Sequence, residues 1–105
     1  MLNSREIDVL NILCSAHKPM TSTDITNQMM ELTQSTVIAV LRRLMAEDIV
    51  SVTGVTHSGK VLSRTYEPGA RAKEVIEEHY RAQFAATRNI ISAKELQALI
   101  DSSLQ

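Results

Sequence analysis

The stretch TQSTVIAVLRRLMAE, residues 33–47, decides how the rest of the chain is read. At about 100° per residue along a helix, Val37, Val40, Leu41 and Leu44 fall on one stripe, while Ser35, Ala39, Arg42 and Ala46 fall on the opposite side. Thr36, Ile38 and Arg43 flank that second face. A helix with a single apolar stripe buries it, so the other face is turned outward. Its composition is unusual for a surface that only meets water, where Glu and Lys are more frequent than Ser, Thr, Ala and an exposed Ile. Small residues permit close approach, hydroxyls and amides reach base edges and phosphates, and arginine suits guanine or backbone phosphate.

On the N-terminal side, Thr33 is a hydroxyl cap directly before Gln34. Thr21-Ser22-Thr23-Asp24 starts another helix with a hydroxyl cap and an acid in the first turn, placing Ile25 and Met29 on one face. The two helices are joined by a very short turn, the outline of a helix-turn-helix unit. Before them, Asn3-Ser4-Arg5-Glu6 reads as a capping box that opens a helix to about Ala16, with Ile7, Leu10, Leu13 and Cys14 on its stripe and Pro19 beyond its end.

On the C-terminal side the period changes. Ile49–Val55 and Val61–Tyr66 are rich in β-branched residues, and His57-Ser58-Gly59-Lys60 between them carries the glycine that a tight hairpin needs. Pro68-Gly69 then punctuates the chain. Residues 70–87 run without Gly or Pro and place Ala72, Val75, Ile76, His79, Tyr80 and Phe84 at helical spacing. Ser92-Ala93-Lys94-Glu95 is a further capping box, opening a short helix with Leu96, Leu99 and Ile100.

Composition agrees with one small helical domain. The 105 residues are 44% apolar but only 3% aromatic, so the core is aliphatic. The net charge of −1 is unevenly spread. Residues 1–32 set Arg5 and Lys18 against Glu6, Asp8, Asp24 and Glu31, a balance of −2. Residues 33–66 set Arg42, Arg43, Lys60 and Arg64 against Glu47 and Asp48, a balance of +2. The basic excess coincides with the outward helix and the hairpin. A lone cysteine, Cys14, excludes a disulfide framework and a cysteine zinc cluster, and on its apolar stripe it reads as core rather than nucleophile. His17, His57 and His79 fall on separate elements without metal spacing, and there is no phosphate loop or nucleophile elbow. The reading is a non-enzyme without cofactor or metal. Neither a signal-like N-terminus nor a span-length apolar run occurs, so a cytoplasmic location is expected.

The expected fold is mainly α with a small β-hairpin: a winged helix-turn-helix over residues 1–67, followed by a helical dimerisation region over residues 68–105. Thr33, Gln34, Ser35, Thr36, Ile38, Ala39, Arg42 and Arg43 are expected to meet duplex DNA, with His57, at the hairpin tip, Lys60 and Arg64 on backbone or in a minor groove. Val75, Ile76, His79, Tyr80, Phe84, Leu96, Leu99 and Ile100 are expected to pair two copies, because the winged core is complete by Tyr66 and leaves these side chains in excess. A homodimer presents two recognition helices to two half-sites, hence a palindromic operator. Two other readings remain open on these residues. In one, Ile38 and Ala39 dock a protein partner and DNA is not bound; in the other, a small molecule sensed between the winged part and the tail tunes DNA affinity.

The runs LNSREIDVLNIL (2–13), LTQSTV (32–37), LRRL (41–44) and RTYEP (64–68) together resemble the penicillinase repressor family (BlaI/MecI/CopY), over most of the chain and in the same order. The resemblance implies a dimeric winged-helix repressor, with DNA contact by Ser35, Thr36 and Arg43 and a dimer made by the C-terminal helices. The copper-responsive branch has a C-terminal cysteine cluster, absent here, so the resemblance does not imply copper sensing. The branch induced by proteolysis is cut at an Asn-Phe bond in the dimer region, whose nearest match is Gln83-Phe84.

Overall fold

The computed structural model describes residues 2–88, 90 and 92–103. Along the chain it contains α1 (Ser4–Ala16), α2 (Ser22–Gln28), α3 (Gln34–Ala46), β1 (Val50–Ser58), β2 (Val61–Pro68), α4 (Ala72–Thr87) and α5 (Ala93–Ser103).

Side chains cap the helices where the sequence places them. Asn3 Oδ1 accepts from the Glu6 amide at 2.9 Å while the Glu6 carboxylate accepts from the Asn3 amide at 2.9 Å. Thr21 and Asp24 make the same reciprocal pair at 3.1 Å each way. Thr33 Oγ1 accepts from the Thr36 amide at 3.2 Å. Each cap satisfies an amide that the first turn leaves unpaired, an effect of about 1 kcal/mol. Ser92 likewise accepts from the Glu95 amide at 3.2 Å ahead of α5.

The turn from α3 into the hairpin is sharp. Asp48 takes a left-handed conformation (φ 63°), its amide donates to Met45 O at 3.0 Å, and the Ile49 amide donates to Leu44 O at 2.9 Å. This is a Schellman ending, with aspartate where glycine is usual. Arg71 closes the same end from outside, its Nη1 donating to Glu47 O at 3.1 Å and its Nε lying 2.7 Å from Glu74 Oε1. The hydrogen bond and charge of Glu74 raise the pKa of this guanidinium, whose positive charge lies at the negative end of α3.

Strands β1 and β2 pair antiparallel, with a bulge between Val52 and Gly54. The expected hairpin is present, but pairing runs on to Ser58↔Val61. Gly59 (φ 67°) and Lys60 alone form the turn, as in a type II′ hairpin with glycine at the first central position. His57 is therefore not at the tip as expected: it pairs with Leu62 in the ladder. The physical reason is that glycine supplies the positive φ and shortens the turn to two residues. Met20, between α1 and α2, exchanges both backbone hydrogen bonds with Tyr66, at 2.9 and 2.7 Å, and so adds a one-residue third strand beside β2.

The core is aliphatic, as composition requires. It joins Val9, Leu10 and Leu13 of α1, Ile25 of α2, the Val37-Val40-Leu41-Leu44 stripe of α3, and Met20, Leu32, Ile49, Val50, Tyr66 and Ala72. Ala72 belongs to it and Val75 and Ile76 pack against it, so the first half of α4 lies on the winged part. Beyond them α4 and α5 project: α5 buries no side chain, and the molecule measures 52 × 30 × 26 Å. Its radius of gyration, 15.7 Å, exceeds the roughly 13 Å of a compact domain of this length.

Gly69 is required for a steric reason. Its amide donates to Ile49 O at 2.7 Å, and a Cβ there would lie 2.7 Å from Asp48 O and 3.0 Å from Ile49 C, both backbone atoms. Gly69→Ala is expected to cost about 1–3 kcal/mol in urea unfolding, the usual effect of overpacking against atoms that cannot move aside. Gly54→Ala is the control, because its Cβ would meet only Thr65 Oγ1, at 3.6 Å. Equal losses at the two positions would show that the Gly69 contact is not rigid.

Candidate nucleic-acid interface

Helix α3 turns its stripe inward and presents Thr33, Gln34, Ser35, Thr36, Ala39, Arg42, Arg43 and Ala46 on the surface, with Ile38 and Met45 half-buried at the edge. The first turn is held to α2. The Gln34 amide donates to Ser22 Oγ at 3.2 Å and to Thr23 Oγ1 at 3.1 Å, and the Thr33 and Thr36 hydroxyls lie 3.0 Å apart. Gln34 and Thr36 thus position the helix as well as lining its outward end. The side chains of Ser35 and Ala39 have no such internal partner among the described residues.

The two adjacent arginines separate. Arg43 leans toward α1, with Nε 3.5 Å from Glu6 Oε2, while Oε1 of the same carboxylate caps α1. The Arg43 side chain is 57% exposed, and such surface pairs are worth roughly 0–1 kcal/mol, so a phosphate could compete for it. Arg42 leans the other way, into a cleft of about 260 Å³ between α3 and the hairpin, where Ile38, Met45, Ser22, Ser63, Arg64 and Tyr66 also lie. Lys60 is exposed in the turn and Arg64 is exposed opposite Val55 in the ladder, nearer the base of the hairpin. Helix α3 and the hairpin thus line one cleft that brings Arg42 and Arg64 together. The hairpin also exposes Val52, Val55, Val61 and Leu62, which the sequence reading did not single out. Their signal was present in β-branched strands with no partner sheet to cover them.

The residues expected at a dimer contact divide into two groups. Val75 and Ile76 pack on their own core. His79 stacks edge-on with Tyr80 at 5.2 Å between ring centroids, and the Tyr80 hydroxyl accepts from Asn11 Nδ2 at 3.4 Å. Farther out, Tyr80, Phe84, Leu96 and Ile100, with Gln83 and Thr87, line an apolar groove of about 320 Å³ between α4 and α5. Leu99 and Ile100 are 59% and 44% exposed.

Cys14 is half-buried, and burial pushes its thiol pKa up, away from nucleophilic use. Among the described residues no group of three or more His, Cys, Asp or Glu is placed to hold a metal ion, and no helix is long and apolar enough to cross a membrane.

No family model matches the chain, and no curated protein does. Among solved structures it is similar to wild-type MarR from E. coli in its apo form, with a TM-score of 0.64 and 13% identity over 99% of this chain and 79% of that one. It is similar to the reduced transcriptional regulator YodB from B. subtilis, with a TM-score of 0.64 and 14% identity over 82% of this chain and 80% of that one. It is also similar to Bacillus subtilis PadR in complex with operator DNA, with a TM-score of 0.64 and 15% identity over 97% of this chain and 68% of that one. At these identities the likeness establishes the fold, which is the expected winged helix.

Proposed function

We propose that this chain is a cytoplasmic, sequence-specific DNA-binding repressor that acts as a homodimer on a palindromic operator, akin to the penicillinase repressors whose motifs it resembles. One observation carries the reading: the outward face of α3, built from Ser35, Ala39, Arg42 and neighbouring hydroxyls, stands beside a hairpin that adds Lys60 and Arg64. A helix of this width fits a major groove, and small side chains at its centre let the backbone come close to base edges. The winged-helix neighbour seen with operator DNA supports the same docking. Repression follows from occupying promoter DNA. In this reading residues 68–105 form the dimerisation region, with the start of α4 shared with the core.

The test is a fluorescence-anisotropy titration of the full chain against random duplexes at low and moderate salt, with sequencing of the bound fraction. Enrichment of a palindrome, with affinity falling steeply as salt rises, is the expected result. Absent or salt-insensitive binding would favour a protein-docking module instead.

The pairing of two copies rests on the projecting α4–α5 hairpin, its apolar groove, and the exposed Leu99 and Ile100. Replacing both residues with glutamate is expected to give a folded monomer by analytical ultracentrifugation. Operator affinity then falls by about 100-fold or more, because the second half-site no longer binds intramolecularly. A variant that stays dimeric would move the interface away from α5.

A further inference from the structure

A winged helix that lays α3 in a major groove and carries its hairpin to the neighbouring minor groove must let one sugar–phosphate strand pass between the two elements. That strand is the wall separating the grooves. In this chain the passage is the cleft between α3 and β2, and its two cations stand on opposite walls: Arg42 on the second half of α3, Arg64 on β2. Both are exposed, and among the described residues neither is within ion-pair distance of a carboxylate, whereas Arg43 has Glu6 and Arg71 has Glu74. Ile38 and Met45 are half-buried along the cleft and make part of it apolar, which strengthens attraction to a charge lying there. Ser22 and Ser63 add hydroxyls that can donate to the same anion.

From this arrangement we infer that Arg42 and Arg64 form a two-sided clamp on a single backbone phosphodiester of DNA. The planar guanidinium fork matches two phosphate oxygens, and two forks from facing walls can share the non-bridging oxygens of one phosphate. The clamp rests on the DNA-binding reading and refines it: Arg42 sets the register between helix and hairpin rather than reading a base, and sequence is read nearer Ser35 and Ala39.

The experiment uses the full chain and the operator recovered from the random duplexes. The logarithm of affinity is measured against the logarithm of salt for wild type, Arg42→Ala, Arg64→Ala and the double variant, with thermal melts to establish that all four fold. Each neutralised phosphate contributes about 0.9 to the slope, and a dimer on a palindrome carries the pair at both half-sites, so one shared phosphate per half-site takes about 1.8 from the double variant and two separate phosphates per half-site about 3.6. The single variants are expected to lose about tenfold in affinity each, with the double losing much less than their product because the two contacts are coupled. A scan of single methylphosphonate linkages is expected to find one position per half-site whose neutralisation weakens wild type but not the double variant. A slope loss near about 3.6, multiplicative effects, different positions for the two arginines, or unchanged affinity would overturn the clamp while leaving DNA binding in place. If wild type itself shows no salt-dependent binding, the DNA reading falls and the clamp with it.

Discussion

Ala39→Glu is expected to leave the fold intact and to reduce affinity for duplex DNA by about 100-fold or more. Ala39 is exposed at the middle of α3, one turn from Ser35 and close to Arg42 on the same face. A carboxylate there faces the phosphates that the basic residues attract, and loses its hydration against base edges. Glutamate is a good helix former, and at an exposed position the change from alanine alters stability by only about 0.5 kcal/mol. Melting and binding measured on the same sample therefore separate the two effects. Full affinity in this variant would place the nucleic-acid surface elsewhere than α3, and intact folding with failed capture of a protein partner would favour the docking alternative.

The second large effect concerns stability. Leu41 is fully buried, and its side chain belongs to the stripe that seats α3 on α1 and α2. Leu41→Ala is expected to cost about 3–5 kcal/mol, from lost burial plus the cavity left behind. Small domains have only about 5–15 kcal/mol in total, so the urea midpoint should fall sharply. DNA binding is lost alongside, because the outward face keeps its angle only while the inward face is packed. A loss below about 1 kcal/mol would mean that neighbouring Leu and Val side chains close the gap and that the core is less specific than its burial suggests. Arg42→Ala, on the opposite face of the same helix, should do the reverse: little change in stability and weaker binding.

Much of this fold was legible from local chemistry. Caps at Asn3, Thr21, Thr33 and Ser92, the stripe through Val37, Val40, Leu41 and Leu44, and the glycine-bearing hairpin all depend on residues within a few positions of one another. Their energies are set by hydrogen-bonding geometry and helical or extended period, which the order of residues determines before any long-range contact forms. Hence the order helix, helix-turn-helix, hairpin and helical tail could be read directly, together with the basic bias of residues 33–66. His57 was misplaced because the length of a turn depends on which backbone amides pair across it.

Other features needed the tertiary structure. Met20 pairs with Tyr66 only because α1 and α2 fold the intervening loop against β2. Arg42 and Arg43 are neighbours in sequence, yet the helical turn sends one toward the hairpin and the other toward Glu6. Arg42 and Arg64 come to one cleft because the Schellman turn at Asp48 reverses the chain behind α3. Val75 and Ile76 have the same apolar character as Leu99 and Ile100, but the close approach at Gly69 sets the first pair on the core, while the second pair is carried outward. Residue order established which side chains are apolar, basic or able to cap. Only packing decided which of them meet, because burial is a collective outcome of how the elements fill space, and no single segment specifies it.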